Sequence, residues 1–144
     1  MSIKLQLDGF DDLLKKIEQA GGSINNAVES CLKNSAYIME DELKAQMNKS
    51  NVDSGLINRM PAPSIEKDGN RMTARVGYKK GAYNPQNLSD GYEVIFINYG
   101  TPRRSKHGKI KARGFIAKAK KKARPQIKKQ QETTLKEILR GLNG

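Results

Sequence analysis

The chain has almost none of the residue types on which metal sites and disulfides depend. Its 144 residues include one cysteine, Cys31, one histidine, His107, and no tryptophan, and aromatic residues make up only 6%. A single cysteine forms no internal disulfide, and a single histidine without further ligands does not hold a metal ion. We therefore expect a protein of a reducing compartment that carries no metal and no cofactor.

Long apolar runs are also missing. The mean hydropathy is −0.73, and no stretch approaches the roughly 20 apolar residues that cross a membrane. The opening segment MSIKLQLDGF becomes acidic too early to hold the apolar region of a secretory signal. The 36% of hydrophobic residues still supply a core, and the length is that of one domain. The prediction is a soluble single domain over residues 1–144 that engages no membrane.

Acidic residues are nearly absent from the last third of the chain. Residues 1–100 carry 12 Lys and Arg against 13 Asp and Glu, whereas residues 101–144 carry 15 against two, so the net charge of +12 arises there. Such asymmetry indicates an acidic partner, either nucleic acid, an anionic surface or an acidic protein face, and the alternative is a solvated basic helix face. The predicted basic patch comprises Arg103, Arg104, Lys118, Lys120, Lys121, Lys122, Arg124, Lys128 and Lys129.

The first half of the chain has a helical pattern after a short extended segment. Apolar and polar residues alternate over residues 3–7, which predicts a strand or an extended arm. Asp8 is placed to cap a first helix that Gly21-Gly22 ends, and Ser23 begins a second helix that runs to about Asn48. The apolar stripe of the second helix, which we interpret as core, is Ile24, Ala27, Val28, Cys31, Leu32, Ile38 and Leu43, with Met39 and Met47 in the same core. The helical part is thus predicted over residues 8–48.

The middle of the chain has the pattern of an antiparallel sheet over residues 64–100. Residues 49–64 contain two prolines and read as a loop. A strand from Ile65 turns at Asp68-Gly69-Asn70 and returns to Tyr78, which predicts a hairpin. After a turn-rich excursion over residues 79–91, the most β-prone run of the chain lies at 93–99.

The last helix is predicted over residues 113–142, after a basic loop at 102–112. Pro125 has no amide hydrogen for a continuous helix, which predicts a kink or a short break near Lys122–Arg124. The order of elements indicates an α+β fold, in which a small antiparallel sheet packs against a long N-terminal helix and a C-terminal helix.

No set of residues has the pattern of a catalytic site. The glycines do not form a phosphate-binding loop or a dinucleotide fingerprint. His107 lies in a basic loop, where neighbouring cations disfavour the imidazolium form, and Cys31 lies on the apolar stripe, as a buried small residue and not a nucleophile. We do not expect an enzyme.

Three separated segments together resemble one family. The first is the helix pair FDDLLKKIEQ and INNAVESCLKNSAYIMEDELKAQ, the second is VDSGL at 52–56, and the third runs from Tyr92 to Thr101 and resumes at KARGFI, residues 111–116. Their order is similar to that of the tailed-bacteriophage neck and tail-completion family typified by gene product 10 of phage HK97. In that family an acidic residue stands where this chain has Asn98, and a proline stands where it has Gly114.

The resemblance implies a structural virion protein of the head–tail junction, made in the cytoplasm of a bacterial host. Its partners would be the tail tube, the head connector and further copies of the chain, in a ring that we expect to be hexameric and that forms from a monomer or weak oligomer. Loops 49–64, 79–91 and 102–112 would order on docking. The residues that carry the resemblance, as assembly candidates, are Asp53, Ser54, Gly55, Leu56, Asn98, Tyr99, Gly100, Thr101, Arg113 and Phe115.

The same residues also have structural interpretations. Asp53 and Ser54 are suited to an Asx-type turn in which Gly55 takes a positive φ. Phe115 and Ile116 are suited to anchoring the last helix onto the sheet. Both roles, fold maintenance and partner contact, stay open for this set.

A different class of function is a nucleic-acid-binding protein that acts through its Lys- and Arg-rich C-terminal third. The sequence pI of about 9.9 favours it. The lack of a zinc-finger, RNP-like or helix-turn-helix pattern and the scarcity of aromatics for base stacking weigh against it. Because lysine outnumbers arginine between residues 118 and 129, contact with phosphates would be non-specific.

Overall fold

The computed structural model describes residues 2–69, 71–78, 98 and 112–143. Three strands and four helices have described bounds. They are β1 (Ser2–Leu5), α1 (Asp11–Gln19), α2 (Ile24–Lys49), α3 (Ser54–Asn58), β2 (Ser64–Asp68), β3 (Arg71–Gly77) and α4 (Phe115–Asn143). The strands form an antiparallel sheet of order β1-β3-β2, so the predicted α+β class is confirmed.

The sheet is built around the hairpin that the sequence predicts. Asp68 pairs with Arg71 across the turn and Ile65 pairs with Ala74, while Gly69 in the turn has a φ of 60°. On the other side of β3, Ile3 of β1 pairs with Val76. The side chains of Ile3, Ala74 and Val76 are buried, which places one face of the sheet against the helices.

Helix α1 begins two residues later than a cap at Asp8 requires. Its N-cap is Phe10, which offers no side-chain cap, so the predicted Asp8 cap is wrong. Gly9 has a φ of 86° and turns the chain between Asp8 and the first helical turn. Asp11 and Asp12, inside that turn, supply negative charge next to the helix N-terminus instead.

Helix α2 begins where the sequence predicts. The Oγ of Ser23 accepts a hydrogen bond from the amide of Asn26 at 3.3 Å, and the helix runs 26 residues to Lys49. At 1.5 Å per residue this is a rod of about 39 Å. It packs against all three strands and along α4, so it is the central element of the fold.

Helix α4 continues for 29 residues with Pro125 in its interior, so the predicted break at Lys122–Arg124 is absent. Proline removes one hydrogen bond and strains an isolated helix by about 3 kcal/mol. Ala123 and Ile127, on either side of the proline, are both buried. Tertiary packing on both sides of Pro125 therefore holds the helix together across it.

Two clusters of apolar side chains form the core. The larger joins the sheet, α2, α3 and the first half of α4, including Phe115, Ile116 and Ala119. The smaller joins α1, α2 and the second half of α4 around Ile17, Cys31 and Leu135. Helices α1, α2 and α4 are thus packed together, with α1 in contact with both of the long helices.

Most of the predicted strand at 93–99 lies outside the described residues, as do the predicted excursion at 79–91 and the loop at 102–111. The described residue of that strand, Asn98, is helical and not extended, so the strand prediction is wrong at this position. Its side chain accepts a hydrogen bond from the N-terminus of α4.

Candidate interaction surfaces

Asn98 caps the last helix from a distant point in the sequence. Its Oδ1 accepts a hydrogen bond from the amide of Ile116 at 3.0 Å, and its backbone carbonyl accepts one from Gly114 at 3.1 Å. Asn98 is only 3% exposed. Two of the amides that a helix N-terminus leaves without intrahelical partners are therefore satisfied by one buried residue.

The turn into α4 depends on a glycine. Gly114 has a φ of 60°, whereas the ring of a proline fixes φ near −65°. A proline at position 114 could therefore not take this conformation. The turn into α4 therefore requires a residue that tolerates a positive φ, as Gly114 does.

Arg113 ties this turn to the end of α2. Its Nη1 donates to the carbonyls of Ser50 at 2.8 Å and Asn51 at 3.1 Å. Asn51 has a φ of 59°, and its carbonyl belongs to the turn that leads into the VDSGL segment. Arg113 thus acts as a charged donor to the backbone carbonyls that follow a helix C-terminus.

The VDSGL segment forms the start of a helix instead of a loop turn. Asp53 is the N-cap of α3 but makes no side-chain cap bond, and Gly55 lies inside the helix with no positive φ. The predicted Asx-type turn and the predicted positive φ of Gly55 are therefore wrong. Leu56 is buried, and its carbonyl accepts a hydrogen bond from the Tyr78 hydroxyl at 2.6 Å.

Residues from the second and third of the segments that carry the family resemblance therefore lie close together. We call the group Ser50–Leu56, Asn98 and Arg113–Ile116 the motif junction. It is held by the Arg113, Asn98 and Tyr78 hydrogen bonds, and Leu56, Phe115 and Ile116 share the larger core cluster. Asp53, Ser54 and Gly55 remain exposed at its surface, so the junction combines a structural interior with an accessible rim.

Other predicted site residues cannot be placed. Tyr99, Gly100, Thr101, Arg103, Arg104 and His107 lie outside the described residues.

The remaining seven residues of the predicted basic patch form a continuous basic face on α4. All seven, Lys118, Lys120, Lys121, Lys122, Arg124, Lys128 and Lys129, are exposed. Among the ion pairs of the described residues, Lys122 has one acidic partner, Glu42, at 4.0 Å. The positive charge of this face is therefore largely without ion-pair partners within the described part of the chain.

A groove of about 440 Å³ runs between this face and the outer strand β1. Lys4 lines it from the strand, and Lys120, Arg124 and Lys128 line it from the helix. Asp8 is the acidic residue of its lining, and Ile3, Met39 and Ile127 give it buried apolar side chains. The sequence showed the helical cations, but nothing in it indicated that Lys4 joins them.

The buried side chains of Cys31 and Tyr78 are held in their uncharged forms, as is usual in a protein core. Burial raises the pKa of the Cys31 thiol to about 11, and Sγ lies 3.8 Å from the carbonyl oxygen of Gln131. Burial also raises the pKa of the Tyr78 hydroxyl to about 12, which the nearby Arg59 partly opposes. A thiol held protonated is a poor nucleophile, in keeping with the interpretation of Cys31 as core.

Sequence reasoning missed a polar contact between α2 and α4. Gln131 is buried, and its Nε2 donates to the Oγ of Ser35 at 3.0 Å, while Ser35 donates to the carbonyl of Cys31 at 2.7 Å. Gln131 stands at the helical spacing between Ile127 and Leu135, and that spacing was the available signal. No group of metal-ligating side chains and no membrane-spanning helix occurs among the residues that the structure describes.

Comparisons with protein-family models, with curated proteins and with solved structures find no match to this chain.

Proposed function

We propose that the chain is a structural protein of the bacteriophage head–tail junction that assembles into a ring and joins or caps the tail. The observation that carries the proposal is the motif junction. Residues at 50–56, 98 and 113–116 lie together at one end of the long helices. Described residues from two of the three segments that resemble the family in sequence are thus neighbours in space.

The accessible part of the junction supports a role in assembly. Asp53, Ser54 and Gly55 are exposed, while their neighbours Val52 and Leu56 are buried. A rigidly anchored, exposed rim suits a contact that identical copies repeat around a rotation axis, each copy binding the next through a different surface. In this proposal the chain is not an enzyme, and its partners are the tail tube, the head connector and further copies of itself.

A phage whose copy of the gene is deleted tests the proposal. We expect lysates with separate heads and tails, or tails of abnormal length, in electron micrographs, and intact virions when the wild-type chain is supplied. A variant of the rim, S54R/G55E, should fold and fail to complement. Normal virions without the gene would overturn the proposal.

A second candidate is a nucleic-acid-binding protein, which the exposed basic face of α4 favours. Removing α4 is not a usable test, since its buried side chains belong to both core clusters. The full-length K118E/K121E/K122E variant keeps the core residues and reverses part of the face. If the face binds duplex DNA, the wild-type chain should bind at about 0.15 M salt with a steep salt dependence that the variant loses.

A further inference from the structure

We propose that the groove between β1 and α4 binds an extended acidic segment of a partner protein, which adds to the sheet as a strand beside β1. The inference stands apart from the proposed function, since it follows from the groove itself. Four features support it: the strand edge, the spacing of the cations, the scarcity of acidic neighbours for these cations among the described residues, and the apolar lining.

The edge of β1 is open in the described part of the chain. The described sheet has the order β1-β3-β2, so β1 pairs with β3 on one side. Ile3, Lys4, Leu5 and Gln6 line the groove, which places the other side of the strand along it. An edge strand presents unpaired N–H and C=O groups that an extended peptide satisfies by main-chain hydrogen bonds.

The spacing of the helical cations matches an extended peptide. Lys120, Arg124 and Lys128 follow one another at intervals of four residues, which is about 6 Å along a helix. Alternate side chains of a strand, which point to one side, are about 6.6 Å apart. Three acidic residues at alternate positions of a bound strand would therefore each face one of these cations.

Among the described residues these like charges have few acidic neighbours: Asp8 lines the groove, and Lys128 is one of the cations that lower the pKa of Glu132. Positive residues at a four-residue spacing destabilise a helix slightly. The ion pairs of the described residues use Lys33, Lys44, Lys67, Arg75, Lys122 and Lys136, and none uses Lys4, Lys120, Arg124 or Lys128. A partner that supplies carboxylates would remove this repulsion.

The lining favours a peptide over a nucleic acid. Buried Ile3, Met39 and Ile127 offer an apolar surface to the side chains between the acidic positions. Single-stranded nucleic acid is usually held by aromatic side chains on which bases stack, and the lining contains none.

Fluorescence anisotropy with a defined probe tests the inference on the full-length chain. The probe is a nonapeptide, acetylated at its N-terminus and amidated at its C-terminus, with Glu at every second position and Thr or Val at the positions between. Its controls are the same peptide with Gln in place of Glu, the same peptide N-methylated at alternate residues, and an oligothymidylate of similar length. We expect the acidic peptide to bind at least about tenfold tighter than each of the three controls.

Two double variants of equal charge change locate the site. R124E/K128E reverses cations that line the groove, and K121E/K129E reverses exposed cations of the same helix that do not line it. The first should weaken peptide binding by at least about tenfold, and the second by less than about threefold. If R124E/K128E fails to fold, R124Q/K128Q takes its place. In addition, the bound peptide should slow hydrogen exchange of the amides of residues 3–6.

Four results would overturn the inference. The first is no binding of the acidic peptide at about 1 mM, and the second is equal loss of affinity in the two double variants. The third is unchanged affinity on N-methylation, which would exclude strand addition. Tighter binding of the oligothymidylate, lost in R124E/K128E, would instead assign the groove to nucleic acid.

Discussion

The side-chain oxygen of Asn98 lies 3.0 Å from the backbone nitrogen of Ile116 and accepts its hydrogen bond. The two residues are 18 positions apart, and the bond fixes the start of α4 on a residue from a separate segment.

Replacing Asn98 with alanine should lower the free energy of unfolding by about 1–2 kcal/mol, because loss of a cap leaves a buried amide without its acceptor. Urea unfolding of the full chain measures the change. Asn25→Ala, an exposed position on α2, is the matched control and should change the value by less than about 0.5 kcal/mol. Equal effects of the two substitutions would show that Asn98 does not cap α4.

Two glycines in and beside α4 should respond to alanine in opposite directions. At Gly114, with a φ of 60°, alanine should destabilise the protein by about 1–2 kcal/mol, since a side chain is strained in that conformation. At Gly141, inside the helix and with open space around it, alanine should stabilise it by about 0.5–1 kcal/mol. Chemical denaturation of both variants checks the pair, and a stabilising G114A would contradict the observed turn.

The Gln131–Ser35 contact should contribute more than other glutamine contacts of α4. Gln131→Ala removes the donor to Ser35 and opens space between α2 and α4, so we expect a loss of about 1–3 kcal/mol. Gln126→Ala, at an exposed position directly after Pro125, should have an effect below about 0.5 kcal/mol. Similar losses for the two variants would mean that the buried contact adds no stability.

The protein should lose stability in alkaline solution because of Cys31. Its pKa is about 11 in the folded protein against an ordinary value of 9.0, so above about pH 9 the unfolded thiol ionises while the folded thiol stays protonated. The free energy of unfolding should be unaffected by this group below pH 9 and should fall between about pH 9 and pH 11. Tyr78 should act in the same direction at slightly higher pH, since burial raises its pKa also.

Urea unfolding at about pH 8 and about pH 10.5 measures this loss. The Cys31→Ala variant should show a smaller difference between the two pH values than the wild-type chain. A thiol reagent offers a second readout, since Cys31 should react only as fast as the protein opens. Rapid reaction under native conditions would show that the thiol is accessible.

Local signals in the sequence were sufficient for most of the elements. Ser23 at the start of α2, the Asp68-Gly69 turn and the apolar spacing in α4 each act over a few residues, and the structure confirms all three. The predicted break near Pro125 is wrong because here contacts with distant residues decide the structure, not the local signal. Packing of Ala123 and Ile127 against distant elements outweighs the local effect of the proline.

The candidate surfaces depend on contacts that no local pattern reveals. Asn98 accepts a hydrogen bond from Ile116, 18 residues later, and Gln131 donates one to Ser35 across 96 residues. Lys4 and Arg124 line the same groove. Asp53 had the residue type of a turn former, yet the segment that follows it became a short helix in contact with Tyr78. Sequence spacing identifies which residues are exposed or buried more readily than which distant residues meet.

The proposed role at the head–tail junction is tested most directly by sedimentation velocity of the purified chain, alone and mixed with tail tubes isolated from a phage that carries this gene. The account predicts a monomer or weak oligomer alone, and a stoichiometric complex with tubes in which micrographs show a ring at one tube end. It predicts that S54R/G55E abolishes the complex without lowering the thermal unfolding temperature of the chain. A chain that sediments identically with and without tubes and connectors would contradict a role at the head–tail junction.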